Sequence, residues 1–525
     1  MTAEKGRLII VSNRLPISVL RQGDGTRVEP SPGGLATALS AVWSSRSNGL
    51  WIGWPGNADG ANIDPLLAKA ARNEPYDLQA VSLNEQEIAK FYIGFANEII
   101  WPLFHDLQSQ CNFKPEYWEM YQQVNRKFAQ ATAEQAGPDD FVWVHDYHFM
   151  LVSQYLRDAN VKSKIGFFQH IPFPPPDIFE KLPWREAILR ALLQYDVLGF
   201  QTERDRGNFL SCLARLLPDA EVLGGDQATL SVRFDHRQTV VGAFPISIDY
   251  DEFAIPAAQA DVSARAANIR KELSDSLLVL GVDRMDYTKG IPERLQSFRM
   301  LLEKYPELRR QVTLVQVVVP SRSDIPKYQD LRQQVELLVS EINGQFTQPG
   351  WVPIHYIYRS LRREDLLGYY RAADIALITP LKDGMNLVAK EFCAAQVDER
   401  GVLVLSEFAG ASPELRHGAL LVNPNDFIGV AQAIYQACQM LPSEKRQRMH
   451  LLREIVKSQN VHRWARSFLD ACDSRSTTRS GPPRDGERLL EAARPTGTPG
   501  VALLGRSPVG SKRIASSGFT SFGAD

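Results

Sequence analysis

The alternation of short apolar segments with longer amphipathic ones restricts the fold of this chain more than any other feature. From residue 8 onward, strand-like segments rich in Val, Ile, Leu and Phe are separated by segments with a helical pattern. This alternation is typical of a largely parallel sheet with helices on both faces. The first series predicts strands over 8–12, 50–53, 141–144, 165–168, 197–200 and 240–244, and helices over 36–43, 85–97, 117–133, 184–194 and 203–216.

A second series of the same kind follows a hinge-like stretch over 245–253. It predicts strands over 277–281, 312–319, 354–358, 374–378 and 402–405, and helices over 292–305, 325–342, 363–371 and 387–396. Two doubly wound domains in tandem are therefore expected. Open α/β sheets bind ligands beyond the carboxyl ends of their strands, so we expect the chemistry in a cleft between the domains.

Composition limits the classes of function. The 525 residues are too many for one ordinary core, and the formal net charge of -2 gives no reason to expect nucleic acid or an anionic membrane as a partner. Five scattered cysteines without a CxxC pair argue against a disulfide framework and indicate a reducing compartment. No segment has the apolar length of a signal peptide or a membrane span, so we expect a cytoplasmic protein.

The pattern divides the chain into four parts. We expect Rossmann-like domains over 1–245 and 246–455, followed by a C-terminal helix over 456–473 that packs back on the first domain. Residues 474–525 are rich in Ser, Thr, Arg, Gly and Pro and contain little that could form a core. This composition predicts a disordered tail.

The segment 379–391 has the order strand, glycine turn, helix. This order directs free backbone N–H groups and the positive end of a helix dipole at one point, where an anion could bind. Asp383 and Glu391 flank that point, and carboxylates suit hydroxyl groups better than phosphate. A ligand that carries both, such as a sugar nucleotide, would fit. The alternative is an ordinary turn with Asp383 near a helix cap and Glu391 on a solvated face.

A second cluster follows the strand over 277–281, where Arg284 and Lys289 flank a turn. Both cations could reach one diphosphate, and charge-assisted bonds of this kind stabilise a leaving phosphate. The alternative is that these are two surface cations paired with Asp283 and Asp286.

Other strand ends also carry polar side chains. Gly33 and Gly34 would allow close approach of a ligand to the backbone. A histidine at a strand end is equally often structural, and HxxH without a further ligand is poor evidence for a metal, so no metal is expected. The side chains at these strand ends are Arg14, His145, Asp146, His148, His170 and Arg322.

Taken together, these stretches resemble the trehalose-6-phosphate synthases, retaining glycosyltransferases of the GT-B fold (glycosyltransferase family 20). The resemblance extends in order from residue 7 to about 470. The matching stretches are VSNRLP (11–16), PGGL (32–35), FYIGFANEIIWPLFH (91–105), WVHDYH (143–148), GFFQHIPFP (166–174), DVLGFQTERD (196–205), VDRMDYTKG (282–290), PSRSD (320–324), INGQF (342–346), GWVPIHY (350–356) and TPLKDGMNLVAKEF (379–392).

The resemblance implies a UDP-glucose site on the second domain. Arg284 and Lys289 match the residues that hold the diphosphate, and Glu391 matches the carboxylate that binds the ribose. Gly34 matches a mobile loop that closes near the diphosphate. The glucose-binding turn matches Asp383 and the backbone of Gly384, Met385, Asn386, Leu387 and Val388.

The resemblance also implies a glucose 6-phosphate site, mostly on the first domain. Arg14 and Arg322 match the phosphate clamp, and His170 matches the residue beside the transferred glucose. The residues around the acceptor sugar match Tyr92, Trp101 and Asp146. Arg284, Lys289, His170 and Asp383 are expected to serve catalysis.

The implied reaction joins the anomeric carbon of the donor to the anomeric hydroxyl of the acceptor with retention, and it needs no cofactor. No carboxylate is placed as an obvious covalent nucleophile. The resemblance implies attack from the same face as UDP departure, with a leaving-phosphate oxygen assisting deprotonation. Relatives on the same scaffold use glycerol 3-phosphate or cyclitol units, and these acceptors remain alternatives. A catalytically silent sugar-phosphate sensor would be expected to lose Arg284, Lys289, Asp383 or Glu391, and all four are present. A homo-oligomer is left open.

Overall fold

Two large sheets, each covered by helices, form the framework of the protein. The computed structural model describes residues 6–22, 25–30, 38–40, 42–43, 48–56, 63–72, 74–225, 228–273, 276–322 and 325–473. The predicted tail over 474–525 and Gly33 and Gly34 lie outside these residues. Both sheets belong to one compact unit.

The first sheet has nine strands in the order β5-β4-β1-β6-β7-β8-β11-β10-β9. The strands from β5 to β11 in this order are parallel, and β10 and β9 are added antiparallel at one edge. A separate hairpin, β2–β3, follows β1. The bounds are β1 Leu8–Arg14, β2 Ile17–Gln22, β3 Gly25–Pro30, β4 Gly49–Trp54, β5 Tyr76–Ala80, β6 Phe141–His145, β7 Lys164–Phe168, β8 Val197–Phe200, β9 Glu221–Gly225, β10 Thr229–Phe234 and β11 Arg237–Ala243.

The second sheet has six strands, all parallel, in the order β14-β13-β12-β15-β16-β17. This is the strand order of a dinucleotide-binding α/β fold, in which the order reverses between the first and the fourth strand. The bounds are β12 Leu277–Arg284, β13 Val312–Val319, β14 Ile354–Tyr358, β15 Ile375–Ile378, β16 Val402–Ser406 and β17 Leu420–Val422.

Helices connect the strands. No helix in the described part of the chain is long and apolar enough to cross a membrane. The α-helices are Asp64–Ala71, Glu85–Glu87, Trp101–Phe104, Pro115–Ala133, Val152–Asp158, Pro176–Phe179, Arg185–Leu192, Glu203–Leu216, Tyr250–Ala257, Ala260–Glu272, Ile291–Lys304, Pro326–Phe346, Arg363–Ala372, Leu387–Ala395, Ser412–Leu415, Phe427–Gln439, Pro442–Ser458 and Val461–Asp473, with a π-helix over Ile88–Ile100 and 3₁₀ turns over Gln108–Gln110, Tyr147–Phe149, Tyr287–Lys289 and Pro306–Leu308.

The core follows from the period of two along each strand. In β1, Leu8 and Ile10 face one buried cluster while Ile9 and Val11 face another. The first cluster also contains side chains from one face of β12 and from the C-terminal helices, so it is shared by both sheets. The opposite faces of the two sheets have a cluster each.

The last described helix, Val461–Asp473, lies on the first sheet. The ring of Phe468 stacks on Trp143 with centroids 4.7 Å apart. A Cβ atom at Gly166 or at Gly199 would lie 2.8 Å from the Phe468 ring, so only glycine leaves room for this helix. The preceding helix ends at Ser458, so the predicted single helix over 456–473 begins later than expected. The domain boundaries stay predictions.

The two doubly wound sheets confirm the predicted α/β class. All eleven predicted strands are present, with ends shifted by at most a few residues. Missing from the prediction were the β2–β3 hairpin, the edge strands β5, β9 and β17, and β10 beside β9. These strands are short or polar and carry a weak apolar signal. The predicted α-helix over 85–97 is mostly the π-helix Ile88–Ile100.

Candidate active site

The predicted site residues lie where each sheet reverses its strand order. In the first sheet the reversal is between β1 and β6, which end at Arg14 and just before Asp146. In the second sheet it is between β12 and β15, which are followed by Lys289 and Asp383. Ligands of α/β sheets bind at such reversals, so the topology supports both clusters.

The glycine turn after β15 is built around Asp383. Its Oδ2 accepts a hydrogen bond from Asn386 Nδ2 at 3.1 Å, and its Oδ1 accepts one from the Met385 N–H at 3.3 Å. Asn386 adopts a left-handed conformation with φ of 57° and caps the following helix, since its Oδ1 accepts from the Ala389 N–H at 3.2 Å. Asp383 thus lies near the helix cap, as the alternative predicts, but the cap itself is Asn386. Asp383 instead fixes the shape of the turn.

Lys289 reaches this turn from the neighbouring strand end. Its Nζ lies 2.5 Å from Asp383 Oδ2. Burial alone would raise the pKa of Asp383, but the ammonium group of Lys289 outweighs it and holds the pKa below its ordinary value. The two loops are also joined through the backbone, because the Leu381 N–H donates to the Thr288 carbonyl at 2.9 Å. Lys289 is thus fixed by the turn that the sequence places nearly a hundred residues later.

The predicted alternative partners of the cations bind elsewhere. Asp283 pairs with the buried Arg294, and Asp286 pairs with Arg322 at 3.4 Å. The side chain of Arg284 is exposed and makes no ion pair with a described carboxylate. An unpaired guanidinium at a strand end is available to an anionic ligand.

Glu391 lies on the helix that begins at Leu387. Its Oε2 accepts a hydrogen bond from the hydroxyl of Tyr370 at 2.8 Å. Burial raises the pKa of Glu391 above its ordinary value. Glu391 is thus partly buried and hydrogen-bonded rather than on a fully solvated face.

Gly384 is the point at which the glycine turn meets the first domain. A Cβ atom built on Gly384 would collide with the backbone carbonyl of His170 and would lie 2.7 Å from Ile171 Cα. No other residue would allow this approach without a shift of the backbone. The turn after β15 and the strand end after β7 therefore enclose one space.

The ring of Trp101 lies close to two arginines of the second domain. The guanidinium of Arg322 is 4.4 Å from its ring centroid and that of Arg284 is 6.0 Å away. Arg322 also donates to the Tyr328 hydroxyl at 2.5 Å, and its backbone has a φ of 49°, which is unusual for a residue other than glycine. These contacts fix an arginine of the second domain over an aromatic ring of the first.

The π-helix explains how Tyr92 and Trp101 reach the same site. They are nine positions apart. With the 3.6 residues per turn of an α-helix, they would point in opposite directions. A π-helix has about 4.4 residues per turn, so nine positions complete roughly two turns and both side chains face the same way. The backbone N–H of Trp101 accordingly donates to the Ala96 carbonyl, five residues back.

Arg14 completes the aromatic cluster. Its guanidinium lies 4.0 Å from the Trp54 ring centroid and 5.9 Å from that of Tyr92. Burial lowers the pKa of Arg14. Burial would raise the pKa of Tyr92, but Arg322 and Arg14 outweigh it and lower the value. Tyr92 thus lies in the field of both predicted phosphate-binding arginines.

The histidines after β6 and β7 form a buried pair. His145 Nδ1 and His170 Nε2 are 3.0 Å apart, so one nitrogen donates and the other accepts. Burial lowers the pKa of His170 to about 3 and also lowers that of His145. Both imidazoles are therefore neutral near pH 7, and His170 is a poor proton acceptor.

Asp146 follows β6 with a φ of 74°. Its Oδ1 accepts from the His170 N–H at 3.2 Å. Burial raises the pKa of Asp146 to about 7, although backbone N–H groups and Arg322 act in the opposite direction. The carboxyl therefore titrates near neutral pH, which is frequent at functional sites.

Several buried polar atoms in this region have no hydrogen-bond partner among the described residues. Most native proteins satisfy such groups, because each unsatisfied one costs about 1–3 kcal/mol. Seven of the twenty such atoms among the described residues lie at or beside the strand ends of this region, where a bound polar molecule could serve as their partner. The atoms are Asn13 Oδ1, Trp101 Nε1, His145 Nε2, both ring nitrogens of His148, Gln169 Nε2 and His170 Nδ1.

Sequence reasoning did not assign a role to Asp286, Arg294 or His105. Asp286 is fully buried beside Arg322, and Arg322, Arg284 and Lys289 hold its pKa low against the effect of burial. The ring of His105 stacks on Trp101 at 4.3 Å, and burial lowers its pKa to about 4. Of these three residues, only Asp286 could have been suspected from the sequence, because it lies between the predicted cations Arg284 and Lys289. Gly34 lies outside the described residues.

Comparison with known proteins gives a consistent result. A model of glycosyltransferase family 20 matches residues 6–474. A trehalose-6-phosphate synthase of Mycolicibacterium vanbaalenii is 44% identical over 473 residues, which cover 89% of this chain and 96% of that protein.

Two solved structures show the same fold and carry ligands. The α,α-trehalose-phosphate synthase (UDP-forming) of Burkholderia xenovorans, in complex with glucose-6-phosphate, has a TM-score of 0.81 at 34% identity and covers 89% of this chain and 100% of its own. A structure from E. coli bound with UDP-2-fluoro glucose has a TM-score of 0.80 at 35% identity and covers 89% and 99%.

Proposed function

The chain belongs to glycosyltransferase family 20, and we propose that the two clusters of strand-end residues are its donor and acceptor sites. The chain is a retaining, UDP-forming glycosyltransferase that transfers glucose from UDP-glucose to glucose 6-phosphate. The products are α,α-trehalose 6-phosphate and UDP. The observation that supports the site assignment best is the meeting of the two clusters, with Gly384 against the His170 carbonyl and Arg322 over Trp101.

We assign the donor to the end of the second sheet. Arg284 and Lys289 hold the diphosphate, because one guanidinium is unpaired and the ammonium group lies at the glycine turn. Asp383 and the backbone of Gly384, Met385, Asn386, Leu387 and Val388 hold the glucose. Glu391, already bonded to Tyr370 through one oxygen, binds the ribose hydroxyls.

We assign the acceptor to the space between Trp101, Tyr92 and Asp146. Arg14 and Arg322 bind its phosphate, since both lie against aromatic rings that exclude water from one side of the guanidinium. Asp146 binds hydroxyl groups of the acceptor sugar, and His170 lies beside the glucose that is transferred.

The reaction breaks the bond from the anomeric carbon to the diphosphate and forms one to the anomeric oxygen of the acceptor. With retention, both events take place on the same face of the sugar. The acceptor proton goes to an oxygen of the departing UDP, because His170 is too weakly basic to take it. Lys289 and Arg284 stabilise the negative charge that develops on the diphosphate.

We expect the reaction to take place in the cytoplasm, in keeping with five cysteines that form no disulfide. Light scattering after gel filtration would measure whether the chain forms a homo-oligomer.

A matrix of donors and acceptors with product identification tests the proposed function. UDP-glucose with glucose 6-phosphate should release UDP and give a non-reducing disaccharide phosphate. Glycerol 3-phosphate as the better acceptor would contradict the proposal. The Lys289→Ala variant, prepared in the same way, controls for a contaminating activity.

A further inference from the structure

A fully buried arginine lies beneath the donor cluster. Arg294 is 1% exposed and lies in the helix Ile291–Lys304. Its Nη1 forms an ion pair with Asp283 and donates to Gln316 Oε1 at 3.1 Å. Gln316 in turn donates to Asp283 Oδ2 at 3.4 Å. This buried network connects the end of β12 with the middle of β13.

The other nitrogens of Arg294 reach the two loops that form the donor cluster. Its Nε donates to Thr379 Oγ1 at 3.1 Å, at the start of the glycine turn. Its Nη2 donates to the carbonyl oxygen of Lys289 at 3.4 Å. The Arg294 side chain is thus bonded to Thr379, the first residue of the glycine turn, and to the backbone of Lys289 in the other loop.

Two glycines make room for this arrangement. A Cβ atom on Gly281 would lie 2.5 Å from Gln316 Oε1 and 2.8 Å from Arg294 Nη1. Gly290 has a φ of 62°, and a Cβ atom there would lie 2.5 Å from the Thr379 carbonyl oxygen. The backbone is therefore adapted both to the buried guanidinium and to the contact between the loops.

Stability alone does not explain a buried ion pair of this kind. Well-packed apolar side chains often replace such pairs without loss of stability, because removing charges from water is costly. The bonds of Arg294 are instead directed at the groups that bind donor. We propose that Arg294 is a positioning residue for the nucleotide sugar, which holds Lys289 and the turn from Thr379 in register. This inference rests on the proposed function.

The role predicts an effect on one substrate only. If Arg294 positions the donor loops, its loss weakens the binding of UDP and of UDP-glucose. The binding of glucose 6-phosphate should stay almost unchanged, since the proposed acceptor residues Arg14, Tyr92 and Asp146 are not bonded to Arg294. A merely structural role would change the two KM values equally, or would change only the resistance to urea.

The test uses two mild variants and their controls. Thr379→Val removes the hydroxyl that accepts from Arg294 and keeps the shape of the side chain, while Thr379→Ser keeps the hydroxyl. Arg294→Lys keeps the charge and loses the planar guanidinium. Arg309→Lys is the matched control, because Arg309 lies in the same domain and donates to the Leu302 carbonyl, away from both loops.

The measurements are the Kd of UDP by calorimetry and the KM of each substrate. We expect Thr379→Val and Arg294→Lys to raise the Kd of UDP and the KM of UDP-glucose about tenfold. The KM of glucose 6-phosphate should change less than about threefold, and Thr379→Ser and Arg309→Lys should resemble the wild type.

Equal changes in both KM values, or an unchanged Kd of UDP in Thr379→Val and Arg294→Lys, would overturn the inference while leaving the proposed function intact. A wild-type chain that binds no UDP would overturn both.

Discussion

Around the ends of β12 and β15 most charged side chains are paired, with Arg284 as the exception, whereas around the ends of β1, β6 and β7 several buried nitrogen atoms have no hydrogen-bond partner among the described residues. On the donor side, Lys289 pairs with Asp383 and Arg294 pairs with Asp283. On the acceptor side, the unpaired atoms include His170 Nδ1 and Trp101 Nε1. The donor side is therefore held in shape by its own bonds, and the acceptor side leaves its polar atoms to a ligand or to water.

The two sides also differ in how many domains they need. The second sheet and its helices supply the proposed donor groups Arg284, Lys289, Asp383 and Glu391. From the first domain, His170 is placed beside the transferred glucose, and Gly34 lies outside the described residues. The acceptor groups come from both domains, since Arg322 of the second domain lies over Trp101 of the first. We therefore expect changes on the donor side to act locally, and changes at the contact between the domains to act chiefly on the acceptor and on turnover.

The largest effect is expected for Lys289→Ala. Loss of the ammonium group removes charge stabilisation of the leaving diphosphate and leaves Asp383 buried without its partner. We expect kcat to fall about 10²–10³-fold, as for other single groups that stabilise a developing negative charge. Steady-state UDP release measures this, and circular dichroism verifies the fold.

The matched control is Lys304→Ala, at an exposed lysine near the end of the helix Ile291–Lys304 in the same domain. It should retain full turnover. Near-normal turnover of Lys289→Ala would show that Lys289 does not act in the donor site, and that the Lys289–Asp383 pair does not distinguish the donor side from the acceptor side.

Gly384→Ala tests the contact between the domains. The new methyl group would collide with the His170 carbonyl, so the turn and the first domain must move apart. A displacement of about 1 Å at reacting groups can reduce the rate about 10²-fold, and we expect a loss of this size in kcat. The Kd of UDP should change much less, because the bonds of the turn within its own domain remain.

The control for this variant is Gly344→Ala, since a Cβ atom at Gly344 meets no atom within 4 Å. If Gly384→Ala lost UDP affinity as strongly as turnover, the donor side would depend on the first domain after all.

Arg322→Lys tests the acceptor side. Lysine keeps the charge but loses the planar contact with Trp101 and the defined geometry toward phosphate. We expect the KM of glucose 6-phosphate to rise about tenfold, with less than a threefold change in the KM of UDP-glucose. Arg332→Lys is the matched control, because Arg332 also stacks on a tyrosine ring, at 4.3 Å from Tyr358. A larger effect on UDP-glucose than on the acceptor would contradict the assignment of Arg322.

The smallest effect concerns acid stability. Burial lowers the pKa of His148 to about 3, helped by Arg322 and Arg14, whereas the unfolded chain protonates this histidine near pH 6.5. Between these values the unfolded state binds more protons, so the stabilising contribution present above pH 6.5 is lost as the pH falls. The free energy of unfolding should fall between pH 7 and pH 5.5 in both proteins. We expect this fall to be about 1 kcal/mol smaller in His148→Phe than in the wild type.

Urea unfolding at the two pH values measures the difference. Asp146, with a pKa raised to about 7, has the opposite dependence, but it is common to both proteins and cancels. The exposed His450 provides the control, and His450→Gln should follow the wild type. An equal loss in His148→Phe and the wild type would show that His148 does not titrate on unfolding in this range.

Much of the donor site could be predicted because its residues are close in sequence to strand ends. Lys289 and Asp383 follow strands that neighbour each other at the reversal, so the topology brings them together. Their direct bond could not be predicted, and neither could the pairing of Asp283 with Arg294 rather than with a cation of its own loop. Pairing among nearby charges depends on which side chains are buried together, and local sequence does not contain that information.

On the acceptor side, Arg14, Asp146 and Arg322 could be identified as polar side chains at strand ends, but Tyr92 and Trp101 only through family resemblance. Tyr92 and Trp101 point in opposite directions on the α-helix that the apolar pattern predicts, and the π-helix brings them to one face. Arg322 belongs to the other domain, and its φ of 49° is an unusual conformation that tertiary contacts must hold.

By itself, the sequence determined two largely parallel sheets and the polar strand ends to which we assign the substrates, because the periods of strands and helices are local properties of the chain. The tertiary structure decided which charges neutralise one another, which histidines remain neutral and how closely Gly384 approaches His170. These depend on burial and on distances between segments that are far apart in sequence, and both are set only when the two domains pack together.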